Sequence, residues 1–378
     1  MIPRLIEKVV KSALLGSGKI VLLLGARQVG KTTILNNLAS SLQDQNQTMI
    51  YLNCDLEEDR RRLDTTSLTI LRDLVKNFDF LLVDEAQRLT NSGLTLKIIH
   101  DQLPKTKVLA TGSSSLNLKN KLSDPLTGRY LDFTLYPFSL VETSGKQNLD
   151  YFLPSVMNFG LYPEIYLDQN PAAKATKLIK IIDSYLFKDI LEFQKVRQPQ
   201  ILKDLTKALA YQIGSEVNEN ELASRLKIDR KTVINYFDLL EKTFVIVRVF
   251  PFSQNPRREI GRKYKIYFVD LGIRNALIGD FNVPTIRADI GKLWENFLVI
   301  ERLKKIANAG EIINVNFWRS YGGAEIDYLE RKPMEKLPRA FEFKFGQGKM
   351  SKGARSFEEK YNIKPQLVNQ ENFSDFIS

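Results

Sequence analysis

Cysteine and histidine are nearly missing from this chain: Cys54 is the only cysteine and His100 the only histidine in 378 residues. A single thiol forms no intramolecular disulfide and no cysteine zinc cluster, and a single imidazole builds no histidine-rich metal site. Cys54 follows the strand-like Met49–Asn53 and reads as a small core residue; His100 falls on the apolar stripe of an expected helix and reads as a packed histidine. Long hydrophobic runs are lacking too. Ile20–Leu24 is far shorter than the ~20 apolar residues of a membrane span. Met1–Lys11 alternates charged with apolar positions and has no secretory cleavage pattern. The expectation is a cytoplasmic protein with no membrane partner. Low-complexity tracts are absent as well, so the chain is expected to fold throughout.

What is present fits two or three domains, because 378 residues exceed one ordinary core and 43% of them are apolar. Lys and Arg number 55 against 44 Asp and Glu, a net charge of +11. That excess favours a polyanionic partner, nucleic acid before an anionic membrane surface.

The clearest motif is Gly25-Ala26-Arg27-Gln28-Val29-Gly30-Lys31-Thr32, placed between the apolar run Ile20–Leu24 and the helix-forming Thr33–Ser41. A strand, a glycine loop and a helix in this order let successive backbone N–H groups converge on phosphate oxygens, aided by the positive end of the helix. Lys31 is placed to reach the β- and γ-phosphates, and the Thr32 hydroxyl to complete the shell of a magnesium ion. Apolar strands then alternate with helical stretches at Met49–Asn53, Asp79–Val83, Lys107–Thr111 and Tyr130–Leu135, the rhythm of a parallel sheet with helices on both faces. Ligands of such sheets bind at the carboxyl ends of the strands. There Phe80–Val83 runs into Asp84, a candidate magnesium ligand through water, and Glu85, a candidate to polarise the attacking water. Thr111 and Ser113, at the end of the next strand, are alternative candidates to orient that water. Arg129 is either a finger reaching a neighbouring subunit's γ-phosphate or a salt-bridged surface residue.

Together with Leu82–Gln87, Thr111–Ser114 and Gly128–Arg129, the phosphate loop resembles the AAA+ ATPase family, most of all the prokaryotic branch in which a domain of unknown function numbered 4143 follows the ATPase. Phe159–Glu164 and Tyr185–Ile190 resemble that branch also, with Leu161 where a second glycine is usual. The resemblance implies ATP with Mg2+, and assembly into a homo-oligomer, either a hexameric ring or a dimer.

Further on, Asn218–Lys227 and Asp229–Glu241 read as two helices joined by a tight turn, followed by a strand at Phe244–Phe250. Val233, Tyr236, Phe237 and Leu240 recur at helical spacing for a buried face, leaving Arg230, Lys231 and Asn235 outward. This is a winged helix-turn-helix pattern, with DNA contact through those residues and through the basic run that includes Arg257, Arg258, Arg262, Lys263 and Lys265. Winged helices also dock proteins, so both occupants stay open. At the end, Glu295 lies on the helix-like Lys292–Lys305, Asp327 on the strand-like Ala324–Leu329, and Glu342 and Lys344 on Arg339–Lys344. An acid followed by Glu-x-Lys resembles the PD-(D/E)XK nuclease superfamily. The resemblance implies that Glu295, Asp327 and Glu342 bind magnesium and that Lys344 assists the attacking water.

The expected architecture is therefore α/β: an AAA+ P-loop core at 1–145, a helical lid or connector at 146–200, a winged helix at 201–255 and a restriction-endonuclease-like α/β domain at 256–378. The expected function is ATP hydrolysis coupled to binding and remodelling or processing of DNA. The alternatives are a nucleotide-gated signalling or defence switch that docks proteins through the C-terminal half, and a metal-dependent DNA endonuclease.

Overall fold

A computed structural model describes residues 2–113, 126–144, 149–183, 198–253, 263–320 and 322–378. Ser114, the Tyr185–Ile190 stretch, Arg257, Arg258 and Arg262 lie outside the described residues. The chain divides into two compact units: Met1–Pro137 with Lys242–Phe244 and Ala307–Gly310, and the remainder. No helix among the described residues is long and apolar enough to cross a membrane.

The first unit runs α1 (Ile6–Gly16), β1 (Ile20–Leu24), α2 (Lys31–Gln43), β2 (Met49–Asn53), α3 (Glu57–Leu63), α4 (Leu68–Val75), β3 (Phe80–Asp84), α5 (Ser92–Gln102), β4 (Lys107–Gly112) and β5 (Tyr130–Thr134). Its strands form one sheet in the order β2-β3-β4-β1-β5, every pair parallel. Central strands of a parallel sheet are covered on both faces, which explains why β1 and Phe80–Val83 of β3 are continuous apolar runs, all buried. The edge strand β2 alternates instead between buried and half-buried residues. Leu22, Leu24, Leu52, Leu81, Val83, Leu96 and Ile99 belong to one core beneath the sheet. Truncating one of these leucines or Ile99 to alanine removes packing worth about 2–5 kcal/mol. The register aligns Leu24 with Gly112 and Asn53 with Asp84, so the loops that follow β1, β3 and β4 open on one sheet edge.

In the second unit, α6 (Leu140–Ser144), α7 (Leu149–Phe159), α8 (Pro163–Tyr166) and α9 (Pro171–Ile181) precede α10 (Pro199–Tyr211), α11 (Glu219–Leu226) and α12 (Arg230–Lys242). Gly160 adopts φ +72°, and a Cβ there would lie 2.0 Å from Asp270 Oδ1. The next residue, Leu161, is buried and donates its N–H to Asp270 Oδ2 at 2.7 Å, so one glycine suffices for this turn. Asn218 caps α11 by accepting from Asn220 N and Glu221 N, and Lys227 closes it in the left-handed region at φ +54°. Val233, Tyr236, Phe237, Leu239 and Leu240 form the buried face of α12, while Arg230, Lys231 and Asn235 are exposed.

Then follow β6 (Ile246–Pro251), β7 (Lys265–Phe268), α13 (Leu271–Ile278), α14 (Ile290–Ala309), β8 (Asn314–Arg319), β9 (Glu325–Arg331), β10 (Arg339–Phe343), α15 (Lys352–Tyr361), β11 (Gln366–Val368) and α16 (Phe373–Ile377). The six strands form one sheet in the order β11-β10-β9-β8-β6-β7. The β6–β7, β8–β9 and β9–β10 pairs are antiparallel, while β6–β8 and β10–β11 are parallel. The expected boundary between residues 255 and 256 thus falls between two strands of a single sheet. Glu216 makes an isolated antiparallel bridge to Lys265.

Candidate active site

The glycine loop sits between β1 and α2 in the first unit. A Cβ on Gly25 would meet the Leu135 carbonyl oxygen at 2.3 Å, and Gly30 takes φ +99° as it enters α2. Only glycine fits the first position and is unstrained at the second. Gln28, at φ +62°, completes the tight path. Arg4 fastens the loop from outside the motif, donating to Val29 O and Tyr136 O at 2.7 Å each. Lys31 is buried, and its ammonium donates to Gly25 O at 3.0 Å and Ala26 O at 2.9 Å. It therefore lies against the concave side of the loop, within reach of the charged oxygens that a phosphate would offer there. Ala26 and Val29 are buried, Arg27 and Thr33 half-buried, and Thr32 exposed at the mouth.

Across from the loop, Asp84 is 1% exposed at the end of β3. Its Oδ2 accepts from Thr32 Oγ1 at 2.6 Å and from the Tyr51 hydroxyl at 3.1 Å. Its Oδ1 is bonded by the Thr111 hydroxyl. Burial, then the negative Asp84, push the Tyr51 phenol well above its ordinary pKa, so it stays a donor. A hydroxyl and a carboxylate in contact at the N-terminus of a helix are oxygen donors of the kind a magnesium ion takes. The residues therefore suit the ion they were expected to hold.

Glu85 follows in the left-handed region at φ +53°, ψ +42°, although it is not glycine. Such backbone costs a non-glycine residue about 1 kcal/mol and persists where its surroundings impose it. Here Glu85 N donates to Thr111 Oγ1 at 3.1 Å and to Asp84 Oδ1 at 3.2 Å. The Glu85 carboxylate is bonded by Gln87 Nε2, which also donates to Ser113 Oγ at 2.8 Å. The two strand-end candidates thus differ in place: Thr111 is fixed to Asp84, while Ser113 is joined to Glu85 through Gln87. Gln87 is 3% exposed, and its Oε1 has no partner among the described residues. Buried amides are normally satisfied, so this one stands out beside Glu85 and Ser113. Arg129 donates from Nε to both Asp101 oxygens, at 2.8 and 3.1 Å, and holds that carboxyl below the usual aspartate range. His100, half-buried on α5, contacts the same Asp101 at 2.8 Å.

Tyr51, Gln87 and Arg4 were not singled out from the sequence. Gln87 had a signal, a polar residue two positions after the strand-end acids; Arg4 and Tyr51 act across long sequence separations and had none.

A second constellation lies wholly within the second unit. Glu295, Glu325 and Asp327 each bring a carboxylate oxygen within 4.8 Å of the others. Lys265, 1% exposed on β7, places its ammonium 2.6 Å from Glu295 Oε1 and also pairs with Glu325. This corrects the reading of Lys265 as part of a solvent-facing basic run: Lys265 opens β7, which is buried at all four positions, while Lys263, before the strand, is exposed. Burial alone would lower the pKa of Lys265, but Glu295, Asp327 and Glu325 carry it above the ordinary lysine value. Burial, and next the charge of Glu295, push Asp327 up to about 7. Glu342 is engaged elsewhere, accepting from Ser351 N and Oγ at 3.1 Å and from Lys344 Nζ at 2.9 Å. Asp327, Glu342, Lys344 and Ser351 line one cleft of about 420 Å³.

Comparison with known proteins finds three family matches along the chain. Residues 17–144 match the model of an AAA domain, residues 152–283 a domain of unknown function (DUF8612), and residues 290–374 a second one (DUF4143). An uncharacterized protein of Haemophilus influenzae is 25% identical over 332 residues, 83% of this chain and 80% of that protein. Another, from Methanocaldococcus jannaschii, is 25% identical over 338 residues, 82% of this chain and 72% of that protein. Among solved structures, AMPPCP-bound DnaA from Aquifex aeolicus is similar at 20% identity and a TM-score of 0.32, covering 62% of this chain and 86% of that one. The glycine loop and the parallel sheet of the first unit lie in the stretch that matches an AAA domain. The chain thus carries an AAA domain match at residues 17–144 and a DUF4143 match at residues 290–374.

Proposed function

We propose that the chain hydrolyses ATP and uses the cycle to bind and remodel DNA. The observation that carries the hydrolytic half is the cluster around Asp84: Thr32 on its outer oxygen at 2.6 Å, Thr111 on its inner one, and Glu85 held next to it by backbone bonds. In this reading the N–H groups of Gly25–Thr33 cradle the triphosphate, and Lys31 turns from the loop carbonyls to the β- and γ-phosphate oxygens. Thr32 and Asp84 hold Mg2+, which supplies positive charge to the phosphates. Glu85 accepts the proton of the attacking water. Ser113, through Gln87, keeps that carboxylate aligned. Arg129 either remains on Asp101 or, in a homo-oligomer, reaches the γ-phosphate of a neighbouring subunit.

The test is the pair Lys31→Ala and Glu85→Gln. Lys31→Ala should lose nucleotide binding, while Glu85→Gln should keep it and lower turnover by about 10²–10⁴-fold. Turnover surviving in Glu85→Gln removes its role as base.

The DNA half rests on net charge and on α10, α11 and α12 followed by the antiparallel β6–β7 pair, with the Glu216–Lys265 bridge between the first two helices and the sheet. That order supports a winged helix with Arg230, Lys231 and Asn235 on the outer face of α12. Arg230 is tied at 2.7 Å to Glu219, so Lys231 and Asn235 are the freer contacts of the three. The run α14, β8, β9, β10, α15, β11, with Asp327 on β9 and Glu342 on its neighbour β10, supports a nuclease-like α/β domain. Gel shifts with duplex, single-stranded and four-way-junction DNA at two salt concentrations test the partner. Binding that weakens with salt is expected, and no binding at low salt favours the protein-docking switch.

A further inference from the structure

A nuclease of the type that the C-terminal half resembles needs a divalent cation between its carboxylates. Glu295 on α14 and Glu325 and Asp327 on β9 make such a nest, with ligand oxygens within 4.8 Å of one another. The nest already holds a cation, and it is covalently part of the chain. Lys265 enters from β7 with 1% of its surface exposed, 2.6 Å from Glu295 Oε1 and paired with Glu325. The Tyr267 hydroxyl, from the same strand, donates to the same Glu295 oxygen at 2.7 Å. Lys292 Nζ takes the other Glu295 oxygen at 3.1 Å, and Arg319 lies 3.6 Å from Glu325. Beneath the ammonium the Phe317 ring lies 5.3 Å away, a further favourable contact for a desolvated cation.

A buried ammonium is tolerated only where carboxylates surround it, and the carboxylates in turn are satisfied by it. A divalent ion would have to displace the buried Lys265 from its carboxylates, or sit beside it against like-charge repulsion. The other acid expected in the metal set, Glu342, lines the same cleft as Glu325 and Asp327 and accepts from Ser351 and Lys344. The residues present therefore do not fit the metal that the superfamily resemblance implies.

We infer that Lys265 is the resident cation of this site: its ammonium fills the place between Glu295 and Glu325 that a divalent metal would occupy, and the domain does not cut phosphodiester bonds. The second clause rests on the nuclease-like reading of the domain; the first stands whether or not the chain binds DNA.

Manganese binding, followed by electron paramagnetic resonance on the full nucleotide-free chain in a Thr32→Ala background, tests it. The parent should bind no Mn2+ at these acids. Lys265→Ala should gain one saturable Mn2+ per chain, lost again when Asp327→Asn is added. Lys265→Met, closer in volume, should gain the same site and guards against failure of the alanine variant to fold. Mn2+ bound by the parent and lost on Asp327→Asn overturns the inference, as does a folded neutral variant that gains no site. Plasmid nicking in Mg2+ or Mn2+ should be nil for the wild-type chain, and nicking abolished by Asp327→Asn overturns the second clause. Failure of DNA binding would leave the manganese results unchanged, which separates this inference from the DNA reading.

Discussion

The two acid clusters of this chain are held in opposite ways. Asp84 is fixed by hydroxyls of Thr32, Tyr51 and Thr111, neutral donors that orient a carboxylate without cancelling its charge. Glu295 and Glu325 are fixed by Lys265, Lys292 and Arg319, which cancel theirs. A carboxylate oriented by hydroxyls keeps its attraction for a metal ion, whereas one oriented by an ammonium has spent it. Counting acids within a few ångströms would favour the second place; the identity of the donors reverses that order.

The largest effect that can break this contrast is at the phosphate loop. Lys31→Ala should weaken binding of a fluorescent ATP analogue by ~100-fold or more, because it removes the charged donor facing the phosphates. Affinity within threefold of wild type, on the order of 0.6 kcal/mol, would mean that the loop does not engage phosphate as described. Next comes Asp84→Asn, which keeps the volume and loses the charge. The Mg2+ dependence of nucleotide binding should fall by roughly tenfold or more, while Glu295→Gln leaves that dependence unchanged. An equal response of both variants would erase the contrast.

A smaller effect is expected at Gln87. Gln87→Ala and Ser113→Ala should each lower kcat by roughly tenfold with little change in KM, as lost alignment of Glu85 does. The double variant should be little worse than either single one, because both act through one chain of hydrogen bonds. Additive losses would separate the two residues.

The smallest effect concerns Asp327. Its folded-state pKa, about 7, lies above the ordinary aspartate value of 3.8. The folded chain therefore binds this proton more tightly than the unfolded chain, and the stabilisation is full below the unfolded pKa. It is lost as pH rises towards the folded one. Asp327→Asn should melt higher than wild type by roughly 2–6 °C at pH 8. The gap should shrink as pH falls through 7 towards 4. A gap independent of pH would assign Asp327 no unusual proton affinity.

Much of the first unit was legible because its signals are local. β1 begins and ends where its apolar run does, since a strand buried on both faces must be apolar throughout. The loop residues and Asp84 announce themselves by position at strand ends. Gln87 and Tyr51 were not read, because their roles depend on which side chains three different strand ends bring together. Lys265 was misread for a related reason. It closes a run rich in Arg and Lys, and composition says nothing about which member of such a run turns inward at the start of a strand. Glu325 was passed over in favour of Asp327 two residues on, although alternation puts both on one face of β9.

The most direct measurement is the number of Mn2+ ions bound per chain with a saturating non-hydrolysable ATP analogue, in wild type, Thr32→Ala and Asp327→Asn. One ion per chain, lost in Thr32→Ala and retained in Asp327→Asn, is the predicted result. An ion that persists in Thr32→Ala and disappears in Asp327→Asn would contradict it.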